Sequence, residues 1–117
     1  MKRSAESGVP MSFDDRVYQA VAETFRALGD PTRVRIVQIL ASGERTVNGL
    51  ADLLEVSPSA VSHQLRVLRQ MRLVRVRRSG REAHYELDDP HIDHLLKEAL
   101  LHVRDFMEDL MGPGDPA

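Results

Sequence analysis

The chain has no cysteine and no tryptophan, and its aromatic residues are three Phe and two Tyr. Without thiols it forms no disulfide, thiolate metal site or thiol redox sensor. Any metal must be held by nitrogen and oxygen, which disfavours soft ions such as Cu(I) or trivalent arsenic. No apolar run approaches the roughly 18 residues that cross a membrane. Met1 to Pro10 is polar and lacks the apolar segment of a signal peptide. The expectation is a cytoplasmic chain with no membrane partner. At 117 residues, 42% apolar and 29% charged, it reads as one largely helical domain with a modest core.

The net charge of −2 is a poor argument for nucleic-acid binding, but it averages over a segregation. Between Leu65 and Arg81 lie seven arginines (Arg66, Arg69, Arg72, Arg75, Arg77, Arg78, Arg81) and no acid. From Asp88 to Ala117 there are eight acids against Lys97 and Arg104. A basic middle beside an acidic end suits one surface for phosphates and another for cations.

Residues 1–11 and 112–117 are expected to be flexible tails, the second because Gly112-Pro113-Gly114-Asp115-Pro116 is a run of breakers. Residues 12–111 form the domain. Ser12 is the expected cap of a first helix running to about Leu28. Asp30-Pro31 opens a second helix through Ile36 and Leu40, and Ser42-Gly43 stops it. Thr46 caps a short third helix to Leu54, Glu55-Val56 turns the chain, and Ser57-Pro58 opens a fourth to about Met71. Leu73–Val76 and Ala83–Leu87 alternate like strands around a basic tip, with Gly80 in the turn. Pro90, after a capping Asp88 or Asp89, begins a last amphipathic helix whose apolar positions run from Ile92 through Leu96 and Leu100 to Leu110.

A short helix, a tight turn, a Ser/Pro-capped helix and a basic hairpin follow the order of a winged helix-turn-helix. Near the start of the fourth helix, Ser57, Ser59 and Ser62 offer hydroxyls to phosphates beside free helix amides. His63 or Gln64 is placed to reach base edges in a major groove. Arg77, Arg78 and Arg81 on the wing would straddle the backbone or the adjacent minor groove. Ala60, Val61, Leu65 and Leu68 are expected to face inward. Double-stranded DNA is the implied partner.

Asp89, His91, His102 and Asp105 share the last helix. At about 100° per residue, His91 and His102 differ by about 20° around the axis, and Asp105 lies within about 60° of both. Eleven residues nevertheless span roughly 16 Å, too far for one helix to close on one ion. Two such helices packed antiparallel would bring Asp89 and His91 of one against His102 and Asp105 of the other. The spacing therefore implies a two-fold dimer with two interfacial metal sites. Two imidazoles and two carboxylates in a tetrahedral shell suit Zn(II), with Co(II) as a surrogate, whereas Ni(II) would want more ligands. His94 and Glu98 project near the same face. His84, on a wing strand, is read as structural.

Ala27-Leu28-Gly29-Asp30-Pro31-Thr32-Arg33 and Ser57-Pro58-Ser59-Ala60-Val61-Ser62-His63-Gln64-Leu65 resemble the ArsR/SmtB metalloregulators, over roughly residues 20–110. The resemblance implies a mainly α homodimer with a small β-hairpin wing, about five helices, and contact through the first and last of them. It implies a repressor that releases operator DNA on binding metal. Asp89, His91 and His102 match the family's Asp-x-His…His pattern for zinc, Asp105 replaces the usual final ligand, and the third-helix thiolate site is absent. It further implies a bond from the second ring nitrogen of His102 to a backbone carbonyl near Arg72.

Two other readings remain open at the level of sequence. One is a winged-helix regulator answering another signal, with a structural or vestigial metal site. The other is a metal-dependent hydrolase, disfavoured because four protein ligands leave no open position and no nucleophile has a positioned base. The expectation is that the chain is not an enzyme.

Overall fold

Capping residues punctuate the chain where the sequence changes period. The computed structural model describes residues 11–112, so the tails expected at 1–11 and 112–117 lie, apart from Met11 and Gly112, outside the described residues. Its elements are α1 (Asp15–Ala27), α2 (Pro31–Ala41), α3 (Val47–Leu54), α4 (Pro58–Gln70), β1 (Val74–Ser79), β2 (Glu82–Leu87) and α5 (Pro90–Met111). Asp30, Thr46, Ser57 and Asp89 each accept a backbone N–H of the first turn, which satisfies an orphan donor.

The first cap differs from expectation. Asp14, not Ser12, caps α1, accepting from the Arg16 amide at 2.8 Å. A carboxylate is favoured there because the helix N-terminus carries partial positive charge.

The core is built around α2. Ile36, Val37 and Leu40 pack with Leu50 and Ala51 of α3, Val61, Leu65 and Leu68 of α4, then Leu73, Val74 and Leu96. Ala60, expected to face inward, is exposed. One residue turns a helix about 100°, so Ala60 is carried off the stripe that begins at Val61.

The wing is longer than its alternating segments suggested. β1 and β2 pair antiparallel from Val74↔Leu87 to Ser79↔Glu82, so Arg77 and Arg78 are strand residues and the loop shrinks to Gly80-Arg81. Gly80 has φ +62°, the positive value that the first position of a primed two-residue turn requires. Arg45, in the loop after α2, exchanges both backbone hydrogen bonds with Tyr85 at 3.0 and 2.8 Å, pinning the wing's base to the helical body.

Two helices remain unfinished on their outer sides. In α1, Ala27 is the buried residue, while Val17, Tyr18, Val21 and Phe25 stay exposed. In α5, Leu96 is buried, with Ile92 and Leu100 packed against the core, but Val103, Phe106, Met107 and Leu110 are exposed. The radius of gyration is 17.9 Å. A closed domain of this length would have about 13 Å.

Candidate functional site

α4 presents its polar residues according to their angle from the buried stripe. Ser57 is committed as the cap, accepting from the Ala60 amide at 3.1 Å. Ser59, Ser62 and His63 are exposed on the outer side. His63 points about 160° away from Val61, but Gln64 lies only about 60° from it, on a flank of the helix. There Gln64 is half-buried, and its Oε1 accepts from Nη1 of Arg33 at 2.7 Å. Of the two side chains expected to reach base edges, His63 is open to solvent and Gln64 is held toward α2.

Between α4 and the wing lies a groove of about 410 Å³ lined by Ser62, Arg66, Arg69, Gln70 and Tyr85. No carboxylate is among these residues, so two guanidinium groups dominate its potential, as a DNA strand requires. The sequence reading counted Arg66 and Arg69 in the basic segment but placed neither them nor Gln70 among the DNA-contact candidates. The signal for the two arginines was their spacing, four and seven residues after Ser62, which keeps them within about 40° of it around the helix.

The wing arginines are unequal. Arg77 forms an ion pair with Glu44, whose carboxylate also lies 3.4 Å from Nδ1 of His84. His84 is further held by Glu82, 3.2 Å from its Nε2, in keeping with a structural part. Arg75 pairs with its cross-strand partner Glu86 at 3.0 Å. Arg78 and Arg81 are exposed and have no acidic partner among the described residues.

The expected metal ligands occupy two separate stretches of α5. At its start, Asp89 accepts from the His91 amide at 2.7 Å and lies 3.2 Å from that residue's Nδ1. His91 is 93% exposed and Asp89 45%. About three turns later, His102 and Asp105 are also exposed, Asp105 beside Arg104 at 3.3 Å. His94 and Glu98 are exposed between them, and Asp93 pairs with Lys97 at 3.2 Å. Among the described residues no three metal-ligating groups converge, and no hydrogen bond joins the His102 ring to the backbone near Arg72.

A family model described as "Bacterial regulatory protein, arsR family" matches residues 30–76. The chain is 47% identical over 95 residues to the transcriptional repressor SmtB homolog of Synechocystis sp., covering 81% of this chain and 70% of that protein. It is 40% identical over 86 residues to the cadmium resistance transcriptional regulatory protein CadC homolog of Staphylococcus aureus, covering 73% of this chain and 71% of that one. In shape it is similar to the homodimeric winged helix-turn-helix DNA-binding domain of a Mycobacterium bovis protein. The TM-score is 0.73 at 24% identity, covering 81% of this chain and 92% of that chain. The fold is a winged helix-turn-helix.

Proposed function

The chain belongs to the arsR family of bacterial regulatory proteins, and on that footing we propose that it is a metal-responsive transcriptional repressor. Proteins of this kind regulate transcription through DNA and are not enzymes. Here the repressor binds operator DNA in the cytoplasm as a homodimer and releases it when Zn(II), or Co(II) in its place, is bound between the two α5 helices.

The observation that carries the reading is the placement of ligands on α5. Asp89 and His91 stand at one end and His102 and Asp105 well along the same helix, all open to solvent. An antiparallel α5 from a second copy brings the two pairs together, whereas a single helix keeps them roughly 16 Å apart. The unfinished apolar sides of α1 and α5 support that second copy, since large exposed apolar faces mark association surfaces.

Asp89 and His91 of one chain, with His102 and Asp105 of the other, would hold the ion. Two neutral imidazoles and two carboxylates match the donor preference of Zn(II), and the bound ion supplies a crosslink between helices. On DNA, Ser59, Ser62 and the free helix amides of α4 meet phosphates, His63 meets base edges, and Arg78 and Arg81 hold the flanking backbone. Crosslinking favours a dimer shape in which the two α4 helices no longer fit successive grooves. Coupling between such sites is typically about 1–3 kcal/mol, and it is reciprocal, so DNA weakens zinc by the same factor.

The test is fluorescence anisotropy of DNA from the gene's own upstream region, with and without stoichiometric zinc, for the parent and His102→Ala. Zinc should release the parent and leave the variant bound. A parent that binds tightly and ignores zinc would instead be a regulator with another inducer.

A further inference from the structure

Arg33 touches three elements at once. Its backbone N–H is accepted by the cap Asp30 at 3.1 Å, at the start of α2. Its Nε donates to the Ala27 carbonyl, the last residue of α1, and its Nη1 donates to Gln64 of α4 at 2.7 Å. The guanidinium is planar, so these two side-chain bonds fix one orientation. The bond to Ala27 places a cation at a helix C-terminus, where the orphan carbonyls and the helix dipole both favour it.

The place of this bond matters more than its strength. Helix α1 is buried at Ala27, half-buried at Thr24 one turn earlier, and exposed along the rest of its length. It therefore joins the body by its C-terminal end. The intervening turn, Leu28-Gly29-Asp30, is tight: a Cβ on Gly29 would meet the Arg26 carbonyl oxygen at 3.2 Å. Any rotation of α1 against the body passes through this corner, and Arg33 spans it directly to α4.

We propose that Arg33 is a positioning residue that ties the orientation of α1 to that of α4 and so sets the separation of the two recognition helices in the dimer. This rests on the dimeric DNA-binding reading above. Gln64 is the receiving end of the joint. Its amide oxygen accepts from Arg33, so Gln64 anchors that flank of α4 to the joint.

The joint is tested by half-site spacing, which a merely stabilising contact would not alter. A dimeric helix-turn-helix binds half-sites about one helical turn apart, so inserting base pairs between them weakens binding. The probe is a duplex selected by the parent from a random pool, with versions carrying one or two inserted base pairs. The parent should lose about tenfold or more on insertion, whereas Arg33→Met and Gln64→Met should lose distinctly less. The double variant should match either single one, because both remove the same link. Gln64→Glu keeps an oxygen for Arg33 and should retain the parent's discrimination.

Thermal unfolding of each variant shows that it is folded, and Gln64→Met stands in should Arg33→Met not be. Variants that keep the parent's full spacing discrimination would overturn the joint. A parent that selects no duplex would overturn the DNA-binding reading itself, a different result from loss of discrimination alone.

Discussion

One carboxylate oxygen, Oδ1 of Asp89, lies 2.7 Å from the backbone nitrogen of His91 and 3.2 Å from that residue's ring Nδ1. The same atom caps α5 and orients the imidazole. Oδ2 of Asp89 and Nε2 of His91 take no part in these contacts. The capping part of Asp89 and the metal-binding part proposed for it are thus separable by chemistry.

Asp89→Asn should keep the cap, because Asn is as good an N-cap as Asp, and lose the charge that attracts a cation. Its unfolding midpoint should stay near the parent's while zinc affinity falls. Asp89→Ala should lose both, with a stability cost of about 1 kcal/mol. Isothermal titration with zinc and urea denaturation separate the two effects.

The wing arginines should differ in their salt dependence. Arg78→Ala and Arg81→Ala should each weaken binding to all duplexes and reduce the log–log salt slope by about 0.9 for each phosphate that is no longer neutralised. Arg77→Ala should change the slope less, since its guanidinium is already paired with Glu44. Equal slopes for all three would mean that Glu44 releases Arg77 on DNA.

Backbone conformation predicts opposite effects at two turns. Glu55 adopts φ +58° at the end of α3, a left-handed position that favours glycine. Glu55→Gly should stabilise by about 0.5–1 kcal/mol. Gly80 has φ +62° with nothing within 4 Å of an added Cβ, so the cost of Gly80→Ala is one of backbone alone. That cost should be about 1 kcal/mol. Urea midpoints read both.

Acid should act on α1. The Arg16 side chain, and then the Arg16 backbone N–H, hold the Asp14 carboxyl below its ordinary value. A carboxyl depressed in the folded state contributes stability that is fully present above its unfolded pKa of about 3.9 and is lost as pH falls through the folded value. Helix content of α1 should therefore decline below about pH 4. Asp14→Asn should remove that dependence in a circular-dichroism titration.

Much of the fold was legible because its punctuation is local. Asp30, Thr46, Ser57 and Asp89 cap their helices as their side chains dictate, and the buried Val61, Leu65 and Leu68 follow the helical period. Ser12 misled because two acceptors, Ser12 and Asp14, compete within one turn and propensity separates them poorly. The strands ran further because pairing, rather than the composition of Arg77–Ser79, decides where a hairpin closes.

The site was less legible where it depends on distance in sequence. Gln64 carried the right chemistry for a base edge, but its orientation is decided by Arg33, 31 residues earlier. Likewise Glu44, in a loop with no motif, determines which wing arginine is free. The helical spacing of Asp89, His91, His102 and Asp105 was readable at once, because period and rise follow from the helix alone.

The outward apolar side of α1 has a consequence for abundance. With Phe25 55% exposed and Val21 47%, a single chain leaves this face uncovered, and the acting unit proposed above is a pair of chains. Where pairing and operator binding are both far from saturation, occupancy rises with the square of chain concentration. Halving synthesis then cuts operator occupancy about fourfold, so on the proposed reading the promoter answers the chain's own dosage as well as the metal.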